Sequence, residues 1–194
     1  MSEAVVTSSR LPDLINLARE ESSDKRRALL RELTEHFFGA TAHSQSETEH
    51  YGIVLAHLAD DMEDAVRAEL AERFAPEPNA PRRLIRRLAE DGSDAVAAPV
   101  LAASPVLDHS DLMKAVREGG QERLRAVSSR SSVSEDISSV IVERGDDETL
   151  GTLLRNGGAR LSRASSEAAV DRARVTGRYS GLAASTSARR SRPA

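Results

Sequence analysis

The chain has 194 residues, of which 39% are hydrophobic and only 3% aromatic, so its core must be built mainly from Leu, Val, Ile and Ala. It has no cysteine, which excludes disulfides, thiolate metal sites and a cysteine nucleophile. No apolar stretch approaches the roughly 18 residues that cross a membrane, and the first ten residues are unlike a signal peptide, so we expect a cytoplasmic protein without a membrane partner.

The net charge of −4 is spread unevenly along the chain. Residues 1–77 carry 8 Lys and Arg against 16 Asp and Glu, whereas residues 78–194 carry 19 against 15. Such asymmetry is typical of a surface that binds a charged partner, and it is equally typical of two halves that attract each other.

The N-terminal third predicts two helices in succession. Residues 11–18 place their apolar side chains on one helical face. Ser23 then suits an N-cap, because its hydroxyl can accept a hydrogen bond from a first-turn N–H. The apolar pattern resumes and runs to Phe37, and Gly39 is a natural end for the helix.

A polar connector leads into the next predicted helix. Ser46 and Glu49 have the spacing of a capping box. From Ile53 the apolar residues keep returning to one face until Phe74, and Asp60-Asp61 is the place to expect a break. Three prolines follow and end the helical pattern, at Pro76, Pro78 and Pro81.

Short apolar segments recur in the second half of the chain. Three similar stretches begin at Val100, Val127 and Leu153, which are 27 and 26 residues apart. Each contains a helix end, a turn of small residues, an apolar residue before a polar N-cap, and a new helix. Helices this short are marginal alone in water, so the period predicts a stacked helical solenoid. The apolar and capping pairs are Leu107-Asp108, Val133-Ser134 and Leu161-Ser162.

The first predicted unit runs from Pro81 to Ser104. It consists of a helix to Asp91, a turn at Gly92-Ser93 and a second helix to Ala103. Pro81 is expected in the first turn, where its missing N–H costs nothing. Ser93, and Asp146 two units later, are expected to cap second helices. Pro99 falls within the second helix, where a short or 3₁₀-like first turn would absorb it.

The stretch "APEPNAPRRLIRRLAEDGSDAVAAPVLAASPVLDHSDLMKAV", residues 75–116, resembles a bacterial family known as domain of unknown function 2336. "ISSVIVERGDDETLGTLLRNGGARLS" and, near the start, "SSDKRRALLRELTEHFF" carry the same likeness, which covers roughly residues 14–170. The resemblance implies HEAT-like helical repeats and no particular activity. Family members are often longer, so a further C-terminal region is expected to be absent here.

The predicted fold is therefore all-α, with an N-terminal helical bundle followed by a short HEAT-like α-solenoid. Residues 1–77 are expected to form the helical cap, and residues 78–174 the repeats packed on it. The Ser/Ala/Arg-rich tail, residues 175–194, is expected to be disordered. A plain solvated tail is the default expectation, and the alternative is that its arginines touch an acidic partner or a nucleic acid: Arg189, Arg190 and Arg192.

The sequence predicts no catalytic, cofactor-binding or metal-binding residue. His36, His43, His50 and His57 are spaced by seven, and Glu47 to His50 has the Glu-x-x-His spacing of di-iron bundles, but a second such motif is missing. No glycine-rich phosphate loop follows a strand, and no serine lies in a nucleophile elbow. The acidic run at residues 60–64 lacks the rhythm of a calcium loop and is expected to be solvated.

The sharpest candidate site is a cluster of four arginines, Arg82, Arg83, Arg86 and Arg87, which helical spacing places together. They can contact the acidic N-terminal helices, bind an unidentified protein partner, or hold the phosphates of a nucleic acid. The repeats offer no aromatic residue for stacking on bases. We therefore expect a non-enzymatic protein-interaction or regulatory module with a helical-repeat surface, and the alternative is a nucleic-acid-binding protein that uses the Arg82–Arg87 helix.

Overall fold

A computed structural model describes residues 23–176, and these residues fold into ten α-helices joined by short turns, without a strand among them. The predicted all-α class is confirmed. The predicted helix at residues 11–18 and nearly all of the predicted tail lie outside the described residues. None of the helices described is long and apolar enough to span a bilayer.

The helices are α1 (Ser23–Gly39), α2 (Gln45–Asp60), α3 (Asp64–Phe74), α4 (Arg82–Ala89), α5 (Asp94–Ala103), α6 (His109–Glu118), α7 (Gln121–Ser128), α8 (Glu135–Arg144), α9 (Asp147–Arg155) and α10 (Arg163–Thr176). The predicted stop at Gly39, the break after Asp60 and the turn at Gly92-Ser93 are all present, although α4 ends at Ala89 and not at Asp91. The chain divides into two compact units. Residues up to 100 belong to unit 1 and residues from 108 onward to unit 2; between them, residues 101–103 belong to unit 2 and residues 104–107 to unit 1. The predicted domain boundary at residues 77 and 78 lies inside the first unit.

Unit 1 consists of α1–α4 and most of α5. In it α2 packs against both α1 and α4, and α3 packs against α4. Its core contains an aromatic cluster in which the Phe37 ring lies 5.3 Å from Tyr51 and 5.2 Å from Phe74. All three rings are buried. Four of the five Phe and Tyr residues of the chain therefore belong to this cluster, which also includes Phe38.

The start of α2 differs from its prediction. The capping box is formed by Ser44 and Glu47 and not by Ser46 and Glu49, because the helix begins at Gln45. The Ser44 N–H donates to Glu47 Oε2 at 2.8 Å, and the Glu47 N–H donates to Ser44 Oγ at 3.3 Å. Both serines have an acidic residue three positions later, so spacing alone does not choose between them.

A buried ion pair holds the turn between α4 and α5. Asp91 has a side chain that is 5% exposed, and Arg67 of α3 contacts it with Nε at 2.8 Å and Nη2 at 3.0 Å. The Ser93 N–H adds a third hydrogen bond at 2.9 Å. Burial on its own raises the pKa of the Asp91 carboxyl, but the bonds from Arg67 and Ser93 hold that pKa below its usual value.

The proline positions are tolerated for local reasons. Pro81 is the N-cap of α4 and precedes its first turn, instead of lying within it. Pro99 lies inside α5, which is α-helical over its whole length, so the predicted 3₁₀-like turn is not formed. The carbonyl of Ala95 loses the N–H that residue 99 would supply. Because Ala95 is exposed, water can solvate that carbonyl.

Of the five caps predicted between residues 78 and 174, three are confirmed and two are not. Asp108 and Asp146 accept hydrogen bonds from the N–H groups of Asp111 and Thr149, and Ser162 accepts one from Ser165. The two other serines occupy N-cap positions, yet their side chains make no capping bond. These are Ser93 and Ser134.

Unit 2 contains α6–α10 together with residues 101–103 at the end of α5. Its helices contact one another in two rows: α6 packs against α8 and α8 against α10, whereas α7 packs against α9. The core between the rows is aliphatic, and its least exposed large side chains are Leu124, Ile141, Leu150 and Leu153. Helix starts in the first row lie at residues 109, 135 and 163, and those in the second row at residues 121 and 147.

A hydrogen bond recurs in unit 2 at one register. Residue ten, counted from the start of a helix, donates its side-chain N–H to the carbonyl of residue eight in the preceding helix of the same row. Arg144 of α8 donates to Val116 of α6, and Arg172 of α10 donates to Val142 of α8 at 2.9 Å. These carbonyls lie in the last turns of their helices, where intrahelical donors are missing.

The other row repeats the same register. Arg130, at position ten from the start of α7, donates to the carbonyl of Leu101 in α5 at 2.8 Å. Asn156, at position ten from the start of α9, donates to the carbonyl of Ser128 in α7 at 2.8 Å. We call Arg130, Arg144, Asn156 and Arg172 the tenth-position donors.

The turn after α9 is fastened to the turn after α7. The Asn156 amide donates also to the Arg130 carbonyl at 2.7 Å. Val133 forms a single parallel bridge with Ala159, in which the Val133 N–H donates to Gly158 at 3.2 Å. A Cβ at residue 158 would lie 1.9 Å from the Ser131 carbonyl oxygen, so only glycine permits this approach.

Candidate interaction surface

The arginine cluster lies on the outward face of α4, as its spacing predicts. Leu84, Ile85 and Leu88 are almost fully buried on the opposite face. Three of the arginines are exposed and Arg86 is half-buried. The helix carries no acidic residue of its own, so its outer face presents positive charge only.

A glycine brings α4 close to α2. A Cβ at Gly52 would lie 3.1 Å from the Cβ of Pro81 and 3.3 Å from the Cβ of Arg83, both tighter than ordinary contacts. The absence of a side chain at residue 52 therefore lets the start of α4 lie against the middle of α2. This contact fixes where the arginine side chains leave the surface.

One arginine of the cluster is held by the acidic N-terminal region, as one of the three interpretations expects. Arg87 Nε lies 2.7 Å from Asp60 Oδ1 at the end of α2. Arg82 and Arg86 also have interactions of their own. Arg83 is exposed and forms no ion pair with another described residue. The internal contact thus accounts for part of the cluster and leaves Arg83 available on the surface.

The acidic run at residues 60–64 ends α2, forms the turn and begins α3. Its carboxylates stay largely exposed, as expected for a solvated segment, but each also lies near a guanidinium, while Met62 is buried. Arg26 is 3.6 Å from Asp61 and Arg27 is 3.5 Å from Glu63, while Arg67 is 3.0 Å from Asp64. Exposed pairs of this kind contribute little to stability singly, but they neutralise most of the local negative charge.

The histidines do not converge on one point. The His36 ring contacts the Tyr51 hydroxyl, and His43 Nε2 lies 2.8 Å from the Phe37 carbonyl oxygen. His50 and His57 are exposed on α2. Within residues 23–176 no group of three or more potential ligands could hold a metal ion. Burial raises the pKa of the Tyr51 hydroxyl, and the negative charge of Glu47 raises it further.

Ile53 lies on the surface of α2, contrary to its prediction. Its apolar pattern predicts Ile53 on the buried face, but the side chain is 44% exposed. The core side of α2 is centred on Leu55 and Leu58, both fully buried, and at 100° per residue Ile53 points away from both. A helical wheel centred on these two leucines would have found it.

The fold and this surface define an all-α protein that carries a basic helix, and the sequence comparisons give its family. Residues 96–194 match the model of domain of unknown function 2336, DUF2336, described as an uncharacterised protein conserved in bacteria. The chain belongs to this family, and the predicted resemblance is confirmed. The quoted stretches before residue 96 lie outside the match. No curated protein and no solved structure matches the chain.

Proposed function

We propose that this protein is a cytoplasmic, non-enzymatic interaction or regulatory module, and that its second half is a short HEAT-like repeat. The observation that carries the proposal is the repeated register of the tenth-position donors in unit 2. In both rows, the tenth residue from a helix start donates a side-chain N–H to the carbonyl of the eighth residue of an earlier helix, and this bond occurs four times. Repeat units that stack on like neighbours would produce this pattern.

The spacing of the helices supports the same proposal. First-row starts at residues 109, 135 and 163 are 26 and 28 apart, and second-row starts at residues 121 and 147 are 26 apart. Rows of parallel short helices give extended faces that suit another protein or a peptide. In unit 2 the second row exposes charged side chains, among them Glu122, Glu148 and Arg155.

The test is chemical cross-linking of the full chain in native lysate, followed by purification and mass spectrometry. Arg155→Glu alters the second row, and Arg117→Glu makes the same charge change on an exposed first-row residue of α6. We expect one specific protein to be recovered in similar amounts with the wild type and with Arg117→Glu. The amount recovered with Arg155→Glu should be at least ten-fold lower. Repeated recovery of the chain alone would count against the interaction function.

Nucleic-acid binding is the second candidate, and it rests on the purely basic outer face of α4. It predicts that a random 20-base-pair duplex binds at low salt and is released steeply as salt rises. Arg82→Glu combined with Arg86→Glu should then abolish binding. Absence of duplex binding at low salt would remove this candidate and leave the protein-interaction proposal standing.

A further inference from the structure

We propose that the seam between α2 and α4 binds an acidic protein segment that carries one large apolar side chain. The seam consists of Ile53, His57 and Asp60 on α2 and Arg83 and Arg87 on α4. This inference rests on the proposed interaction function, and it names a surface and a partner chemistry for it.

Two contacts place these residues side by side. Gly52 lies against Arg83, with the Cβ positions 3.3 Å apart when a Cβ is added to the glycine. Two turns further along α2, Asp60 binds Arg87, which is one turn beyond Arg83 on α4. Residues seven apart share a helix stripe, as do residues four apart. The stripe from Ile53 to Asp60 therefore flanks the stripe from Arg83 to Arg87.

The apolar element of the seam is Ile53. It is the large hydrophobic side chain that stands out as exposed among the described residues. A single exposed aliphatic residue is ordinary on a protein surface. Beside a row of guanidiniums it has the arrangement of an interface centre, in which an apolar anchor is surrounded by charged groups that orient the partner.

The charge of the seam selects an acidic partner. Asp60, the carboxylate within the seam, is already bound by Arg87 at 2.7 Å, and exposed Glu49 and Glu90 lie beyond its ends. Arg83 forms no ion pair with another described residue, and α4 has no acidic side chain. A carboxylate from a partner can bind the planar guanidinium of Arg83 through two parallel hydrogen bonds.

The apolar anchor favours a protein over a nucleic acid. Single-stranded nucleic acids are bound by exposed aromatic rings that stack on bases. The aromatic rings of unit 1 are instead committed to its core, where Phe37, Tyr51 and Phe74 are buried. Phe38 is half-buried and is covered by Arg73, whose guanidinium lies 4.7 Å from the ring centre.

The test selects ligands without prior choice of partner. A phage library displaying random 12-residue peptides is panned against the immobilised full chain, after depletion on the Arg83→Glu, Ile53→Ser double variant. Recovered peptides should carry several Asp or Glu residues around one Leu, Ile or Phe. Synthetic copies should bind at least ten-fold more weakly to Arg83→Glu and about five-fold more weakly to Ile53→Ser.

The controls keep the outcomes separate. Arg160→Glu makes the same charge change at an exposed residue of unit 2, and it should bind the peptides like the wild type. Peptides with Gln in place of every Glu should not bind. Circular dichroism melts confirm that each variant is folded, and Arg83→Gln serves as a milder version of the main change.

Three results would overturn the inference. They are recovery of peptides without acidic enrichment, equal binding by the double variant, and preferential binding of a random DNA duplex that depends on Arg83 but not on Ile53. Suppose that one of these results is found, but cross-linking recovers a protein partner with the wild type and not with Arg155→Glu. The interaction function then survives and only the seam is rejected. If no partner cross-links but acidic peptides bind the seam, the repeat surface is rejected instead.

Discussion

The two units of this chain have different cores, although ion pairs between helices occur in both. Unit 1 has an aromatic core and joins distant segments by ion pairs, of which Arg67 with Asp91 is the most buried. Unit 2 has no Phe, Tyr or Trp among its described residues. Its aliphatic helices are tied by side-chain hydrogen bonds to backbone carbonyls, at matching positions of successive helices.

This difference affects how each unit responds to a substitution. In unit 1 the aromatic cluster and the buried Arg67–Asp91 pair each occur once. In unit 2 the same bond is made four times, and the loss of one leaves the others in place. We therefore expect larger effects from single changes in unit 1 than in unit 2.

The largest effect is expected at the centre of the aromatic cluster. Phe74 is fully buried and lies 4.9 Å from Phe38 and 5.2 Å from Phe37. Phe74→Ala should lower the free energy of unfolding by about 4 kcal/mol, because it leaves a cavity that the rings cannot fill. The comparison is Leu124→Ala in unit 2, fully buried but aliphatic, with an expected cost of about 3 kcal/mol. Urea denaturation followed by circular dichroism measures both, and a larger loss at Leu124 would reverse the comparison.

The next largest effect concerns the buried ion pair. Arg67→Met should cost about 3 kcal/mol in urea denaturation, because it leaves the Asp91 carboxylate buried without its counter-ion. Adding Asp91→Asn should recover more than half of that loss, since the amide oxygen can still accept the Ser93 N–H. If the double variant is as unstable as Arg67→Met alone, the cost comes from lost packing and not from the uncompensated charge.

A smaller effect is expected at a tenth-position donor. Asn156→Ala removes two donors to backbone carbonyls and the acceptor for the Gly158 N–H, and should cost about 2 kcal/mol. The neighbouring exposed Arg155→Ala should change stability by less than about 0.5 kcal/mol. Hydrogen exchange localises the change, with faster exchange at the Val133 and Arg160 amides that form the bridge. Unchanged protection there would show that Asn156 does not hold the turns together.

The smallest effect on the free energy of unfolding is expected when the pH is lowered. Asp91 has a lowered pKa in the folded state, so it binds a proton less readily there than in the unfolded chain. Its contribution to stability is therefore complete above its unfolded pKa of about 3.9 and is lost as pH falls through the folded pKa. Unfolding free energies measured from pH 6 down to pH 2.5 should fall less steeply for the Arg67→Met, Asp91→Asn variant than for the wild type. Parallel curves would show that another carboxylate carries the acid sensitivity.

The sequence predicted the helices of this chain better than its contacts. Glycines predict helix ends because they disfavour continued helix locally. One helix ends at Gly39, and Gly92 lies in the turn between two others. The 26- and 27-residue spacing also predicted the starts of successive helices, because repeated local signals give repeated local structure. The prediction of Ser46 as the cap was wrong: the helix begins at Gln45 and Ser44 caps it, and the two serines have equivalent local patterns.

The candidate surface was predicted in part. Helical spacing placed the four arginines on one face, but it could not pair Arg87 with Asp60 across two helices. It also assigned Ile53 to the core, since a count of apolar positions does not show which of them the neighbouring helices cover. The tenth-position donors carry no sequence motif of their own, because Arg and Asn serve at the same position.

The Val133–Ala159 bridge constrains the number of residues between the two turns that it joins. An insertion of one or two residues between two successive helices of a row would carry the donor past its carbonyl and separate the two turns. On the proposed repeat, gain or loss of a whole period would leave every donor facing an equivalent acceptor. Variation among related chains should therefore come as whole duplicated or deleted periods, with single substitutions concentrated on outward-facing helix positions.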